Sequence, residues 1–235
     1  MFQKDFLALD LPEPERRKSN GQTSLIWGGS TSLGCNAIQM AMAAGYEVVT
    51  RASEKKFELV RSLGATTVLH NHSTGIVAEL IDALKEKKSV GALAITFASA
   101  EPCVEVISMA DEGNFVAAAL PVPELKDTEA EAKMIWGMTL EENEVGPAIF
   151  EYYLPTALEK GIFIAEPRAT GNGIGITVEG VGCDGCRRLC YETGCEVDLV
   201  YLILLWIIGY SLTAMKIVIK MRQNRCAFVA KPQRY

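Results

Sequence analysis

Short apolar runs and stretches of helical period alternate along the first two thirds of the chain. Ser24–Trp27, Tyr46–Thr50, Thr66–Leu69, Ala92–Phe97 and Asn114–Ala119 are runs of apolar and β-branched residues of strand length. Between them, Cys35–Ala44 sets Ile38, Ala41 and Met42 on one side of a predicted helix and stops at Gly45. Glu54–Leu63 places Phe57, Val60 and Leu63 at spacing three and is closed by Gly64. Thr74 caps a helix whose Ile76, Val77, Leu80, Ile81 and Leu84 follow the helical period. Pro102–Glu112 is a further helix, and Pro147–Lys160 another, bent at Pro155 and followed by Gly161. Strands alternating with helices at this spacing predict an α/β fold with a doubly wound parallel sheet.

The pattern is framed by two irregular ends. Residues 1–21, with Pro12, Pro14, the charged run Glu13–Lys18 and Asn20-Gly21, read as a linker remnant. Residues 22–174 form the regular domain. Residues 175–235 are an atypical tail in which Leu199–Met215 runs for 17 residues without a charge. A membrane-spanning helix needs roughly 20 apolar residues, with a lower limit near 17, so 199–219 is a candidate transmembrane segment. Lys216, Lys220, Arg222 and Arg225 follow it, and Glu196 and Asp198 precede it. The positive-inside tendency would then leave the regular domain outside the cytosol.

Charge narrows the partners. The net charge of −6 argues against nucleic acid. Residues 111–151 hold ten carboxylates against two lysines, whereas residues 216–235 hold six cations and no acid. Met1–Asp10 lacks the basic and apolar regions of a secretory signal. A cytoplasmic protein is expected, with membrane association through the tail as the alternative. Cys35 and Cys103 read as small core residues. Cys183-x2-Cys186-x3-Cys190-x4-Cys195 matches no common zinc spacing and has no histidine nearby, so no metal is expected. His70 and His72 read as loop residues after the third strand, with a paired metal or catalytic role as the alternative.

The chemistry concentrates in Gly28-Gly29-Ser30-Thr31-Ser32-Leu33-Gly34, between the first strand and the first helix. Small residues let the backbone approach a pyrophosphate, and free N–H groups at a helix start bind its charge. Ser30, Thr31 and Ser32 add hydroxyl donors, and Gly34 lets the helix pack closely on the sheet. Thr31 stands where the strict G-x-G-x-x-G pattern has its middle glycine. The bland alternative is a tight turn without a ligand. After the second strand, NAD binders place an acid on the ribose 2′-hydroxyl. Here Arg51, Ser53, Lys55 and Lys56 offer cations and a hydroxyl suited to a 2′-phosphate, and Glu54 is the one acid. NADP(H) is the expected cofactor, against the alternative of a solvated basic helix end.

These segments resemble the zinc-independent medium-chain dehydrogenase/reductases, nearest the fungal trans-acting enoyl reductases and quinone-reductase-like proteins. The resemblance is carried by Leu25–Gly34, Ala43–Thr50, Val60–Ala65, Leu120–Pro123 and Phe150–Pro155. It runs from about residue 5 to about 174 and implies an NADPH-binding Rossmann domain. It further implies that Gly29, Ser30, Thr31, Ser32, Leu33 and Gly34 meet the pyrophosphate, and Ser53, Lys55 and Lys56 the 2′-phosphate. Asn71 stands where the family usually has a tyrosine. Leu120 and Pro121 would lie near the nicotinamide. The family's first, GroES-like domain is not represented, and Met1–Asn20 resembles its exit linker. Thr213–Ile219 is similar to the family's closing strand, which opens a reading of residues 174–213 as out of frame or translated from an intron.

Three functional readings follow. The first is an NADPH-dependent reductase acting on a small enone or thioester, lacking the GroES-like catalytic domain, so that no catalytic residue is named. The second is a non-catalytic nucleotide-binding fragment. The third is a membrane-tethered Rossmann domain. The oligomeric state is left open.

Overall fold

The computed structural model describes residues 1–15, 18–125, 128–135 and 143–166. The transmembrane candidate at 199–219, the cysteine cluster and the family-like strand at Thr213–Ile219 lie outside the described residues, as does the end of the expected domain. Among the described residues six strands form one sheet: β1 (Gln22–Trp27), β2 (Glu47–Ala52), β3 (Thr67–His70), β4 (Lys88–Ala94), β5 (Phe115–Ala118) and β6 (Glu131–Met134). Their spatial order is β3-β2-β1-β4-β5-β6 and every pairing is parallel. Helices α1 (Ser32–Ala43), α2 (Phe57–Ser62), α3 (Ile76–Leu84) and α4 (Ala100–Ser108) connect them. Three consecutive helical segments, Val145–Pro147, Ala148–Tyr153 and Leu154–Glu159, are taken together as α5.

The strict alternation of side chains along each strand builds two cores. Ile26, Val48, Ala52, Val68, Leu93 and Ala117 face one side, against Ile38 and Ala41 of α1, Val60 of α2, and Ile149, Tyr153 and Leu154 of α5. Their sequence neighbours Leu25, Trp27, Val49, Ala92, Ala94, Val116 and Ala118 face the other side, against Leu80 and Leu84 of α3 and Cys103, Val104 and Ile107 of α4. Each of the larger buried side chains contributes about 1.5–3 kcal/mol by leaving water. Residues 1–15 also join the first core. Phe2, Leu7 and Leu9 are buried there, the Phe6 ring meets Phe115 edge-on, and the Asp10 N–H donates to the Tyr46 hydroxyl at 3.0 Å. The stretch expected as a linker is therefore packed on the domain.

Several boundaries differ from the expectation. The fourth strand starts at Lys88 rather than Ala92 and ends at Ala94 rather than Phe97. Its pairing with β1 slips by one residue between Ser89 and Ala92, a bulge that contains Gly91 at φ +105°. A Cβ on Gly91 would lie 2.3 Å from the Phe115 carbonyl oxygen, so a side chain has no room. The fourth helix begins at Ala100 and stops at Ser108, not at Glu112. The helix expected at Glu54–Leu63 opens as a 3-10 turn, Glu54–Lys56, before α2. The bend expected at Pro155 appears as π-helical winding over Ala148–Tyr153. Proline has no N–H for the Glu151 carbonyl, which loosens the preceding turn. β6 has no counterpart among the expected strands. Its sequence Glu-Ala-Lys-Met is a poor strand former with a half-buried pattern, recruited by pairing to β5.

Candidate nucleotide-binding site

The connections reverse direction between β1 and β4, which are hydrogen-bonded neighbours. Such a switch point opens a crevice at the carboxyl ends of the strands, where open α/β sheets take their ligands. The Gly28–Gly34 turn leaves β1 at this point. Gly28 sits at φ +104°, a conformation that L side chains rarely adopt. Gly29 and Gly34 are required for space. A Cβ on Gly29 would come within 2.2 Å of Thr50 Oγ1, and one on Gly34 within 2.2 Å of the Gly28 carbonyl oxygen. The backbone is thus folded tightly on itself at these glycines.

Thr31 closes the turn. Its hydroxyl donates to the Gly28 carbonyl at 2.7 Å and accepts from the Gly34 N–H at 3.0 Å, making it the N-cap of α1. Its own N–H donates to Gly28 as well. The hydroxyl and the N–H expected to serve a pyrophosphate thus both donate within the turn. Ser30, Ser32 and Leu33 are half-buried at the mouth of the crevice. The N–H groups of Ser32 and Leu33 fall in the first helical turn, where no intrahelical acceptor exists. α1 is 12 residues long and carries no acid in that turn, although Glu166 is close enough to act on Cys35 there.

The next strand over builds the second part of the site. β2 ends at Ala52, and Ser53 follows in an extended conformation with its side chain unused as a cap. Glu54, Lys55 and Lys56 are exposed. The Asn71 N–H donates to the Ala52 carbonyl at 2.9 Å, which places Asn71 beside the end of β2. Asn71 Oδ1 is buried and has no partner. Buried polar atoms are nearly always satisfied, and an orphan beside a crevice marks a place for a ligand donor. The tight glycine turn and this orphaned acceptor fit a dinucleotide laid across β1 and β2.

The third part lies beyond β4 and β5. The Ala119 N–H donates to the Ala94 carbonyl at 2.8 Å, tying the two strand ends together. Leu120 follows, 40% exposed, with Pro121 exposed beside it. Across the switch point Phe97 is 90% exposed, preceding Ala98 at φ +54°. Phe97 escaped the sequence reading because an apolar residue at a strand end is indistinguishable from core. Gln39 of α1 was also missed. Its amide donates to the Ile164 carbonyl at 2.9 Å and accepts from the Ile164 N–H at 2.8 Å, clamping the segment after α5 onto α1.

The remaining candidates stand apart from this chemistry. The His72 N–H donates to His70 Nδ1 at 3.2 Å, and the His70 ring packs edge-on against Phe57. Among the described residues no group of three histidines, cysteines or acids could hold a metal. Cys35 and Cys103 are fully buried free thiols. Burial pushes the Cys35 thiol up to about 11 and that of Cys103 well above the usual range, so both stay protonated and inert.

No family model matches the chain. Dehydrogenase azaJ of Aspergillus niger is 41% identical over 183 residues, covering 75% of this chain and 52% of that protein. Trans-enoyl reductase himH of Aspergillus japonicus is 32% identical over 181 residues, covering 75% of this chain and 53% of its own length. The quinone oxidoreductase of Pseudomonas syringae pv. Tomato DC3000 superposes with a TM-score of 0.53 over 64% of this chain and 49% of that one. Its sequence identity is 15%, so that likeness concerns the fold. The chain spans about half the length of the curated relatives it matches.

Proposed function

Since the chain belongs to the medium-chain dehydrogenase/reductase family and carries its nucleotide-binding half, we propose that it serves an NADPH-dependent oxidoreductase of the enoyl or quinone reductase type. The observation that carries this reading is the Gly28–Gly34 turn, folded tightly around its three glycines and opening a 12-residue helix at the switch point of the sheet. The N–H groups of Ser32 and Leu33, with the hydroxyls of Ser30 and Ser32, hold the pyrophosphate. Ser53, Lys55 and Lys56 face the 2′-phosphate, with Asn71 beside them. Leu120 and Pro121 form the surface against which the nicotinamide ring rests.

When bound, NADPH supplies the hydride, and the protein supplies position. The substrate class is a small enone or enoyl thioester, and the site of action is the cytosol. The exposure of Phe97 and Leu120 supports a crevice with one wall. The opposing wall, which holds the acceptor at reacting distance, comes from outside the described residues. Positioning of that kind is worth several orders of magnitude in rate. Among the described residues no helix is long and apolar enough to cross a membrane.

The test is oxidation of NADPH by the 235-residue chain with a panel of enones, enoyl thioesters and quinones, together with direct cofactor binding. NADPH should bind and turnover should be small. Robust turnover by the chain alone would overturn the one-walled crevice. Failure to bind any nicotinamide dinucleotide would overturn the functional reading itself.

A further inference from the structure

Asn20 and Gly21 join the packed N-terminal residues to β1. Ser19, Asn20 and Gly21 are exposed. The Asn20 N–H donates to the Gly45 carbonyl at 2.9 Å, which ties the joint to the turn after α1. The Gln22 N–H donates to Asn20 Oδ1 at 2.9 Å, an Asx turn that folds the side-chain amide back over the Gly21 peptide. The Gly21 N–H donates to Ser19 Oγ at 3.2 Å. Gly21 sits at φ +76°, and a Cβ built on it would meet nothing within 4 Å.

Each of these contacts bears on one reaction. An asparagine amide carbon held over the next residue's backbone nitrogen can close with it into a cyclic imide. A side chain on that next residue crowds the ring, and glycine has none. The Asx turn holds the reacting groups together, which lowers the entropic part of the barrier. The Gln22 N–H points at the oxygen on which negative charge develops during attack. Ser19 Oγ stands where the Gly21 proton departs. The other described asparagines lack this arrangement. Asn36 is buried and its Nδ2 donates to the Ser32 carbonyl at 2.8 Å. Asn71 Oδ1 is buried, and His72 follows it. Asn114 precedes Phe115, the first residue of β5, and Asn143 precedes Glu144.

We propose that Asn20-Gly21 is a site of spontaneous deamidation in the folded protein. The Gly21 nitrogen attacks Asn20 Cγ, and the new N–Cγ bond replaces the Cγ–Nδ2 bond. Ammonia leaves, and the Gly21 proton passes to it through the Ser19 hydroxyl and water. Water then opens the imide at either carbonyl and leaves aspartate or isoaspartate. No electrons are transferred, and water is the one co-reactant. Both products add a negative charge. Isoaspartate also inserts a main-chain carbon between the Gly45 contact and β1. That sets the packing of Phe2, Leu7 and Leu9 against the register of β1 with β2 and β4. The glycine turn lies at the far end of this six-residue strand, about 20 Å away, so the proposal is independent of the nucleotide reading.

The test is ageing of the full 235-residue chain at mildly alkaline pH, with samples digested at mildly acidic pH and mapped by mass spectrometry. Isoaspartate is read by labelling with protein isoaspartyl methyltransferase. Peptide mapping separates Asn20 from Asn172-Gly173, which lies outside the described residues. Asn20 should convert faster than Asn36, Asn71 or Asn114 by a factor of about ten or more, a barrier difference of about 1.4 kcal/mol. Aged wild-type protein should melt at a lower temperature than fresh protein, and Asn20→Gln protein aged alongside should show a smaller shift. Asn20 that stays intact in the folded protein while converting in urea would overturn the proposal. So would conversion no faster than at Asn114.

Discussion

The glycine turn and the end of β2 sit one strand apart and are built on opposite plans. The turn is closed and self-satisfied. Gly29 and Gly34 leave no space for a Cβ, and the Thr31 hydroxyl is engaged on both sides. The end of β2 is open and unfinished. Lys55 and Lys56 are exposed, Ser53 makes no cap bond, and Asn71 Oδ1 has no partner. Shape in the first region is inseparable from folding, because the same atoms pack α1 onto the sheet. Charge in the second can be exchanged without disturbing a core. On the proposed reading, the first supplies affinity for any nicotinamide dinucleotide, and the second supplies choice between them.

The sharpest way to break this division is at Gly34. Its Cβ would meet the Gly28 carbonyl oxygen at 2.2 Å. Gly34→Val should destabilise the domain by about 3 kcal/mol, at the upper end of overpacking costs, and abolish binding of NADPH and NADH together. An unchanged melting temperature with unchanged affinity would show that the turn does not pack α1 on the sheet. A smaller effect is expected at the cap. Thr31→Val should cost about 1 kcal/mol, weaken both cofactors in parallel, and be largely rescued by Thr31→Ser. Weakening by the valine that the serine fails to rescue would give the hydroxyl no part in the turn.

Replacing Lys55 and Lys56 together by alanine should leave the melting temperature unchanged and raise the Kd of NADPH by about threefold, since exposed cations are screened. The Kd of NADH should barely move, and equal losses for the two cofactors would merge the two regions into one. The smallest effect concerns the buried thiols. Cys35 and Cys103 should resist alkylation in native protein at mildly alkaline pH, because burial holds both thiols protonated. Peptide-level mass spectrometry after labelling reads this directly, and ready modification of either would show the core to be open.

The fold was legible where burial was complete. Leu25, Ile26 and Trp27 are apolar in succession because a parallel strand is covered on both faces. The beginning of β4 was hidden because Lys85, Glu86, Lys87 and Lys88 read as surface, and the bulge at Gly91 breaks the alternation. β6 was hidden because, among the described residues, it is the edge strand, lies in an acid-rich stretch and owes its existence to β5. At the site, the glycine turn was legible because only small residues fit it. The double engagement of Thr31 was not, since a hydroxyl three residues before Gly34 can cap a helix or bind a ligand. The contact of Arg51 with Trp27 could have been inferred from strand parity, both residues lying on the face of Val49. The Gln39–Ile164 clamp could not, because it joins positions 125 residues apart.

Paired calorimetric titrations of the 235-residue chain with NADPH and NADH test the division of labour most directly. Both cofactors should bind through the shared turn, with NADPH tighter by about tenfold, the worth of one charge-assisted contact to its 2′-phosphate. Equal affinity for the two, or tighter binding of NADH, would contradict it.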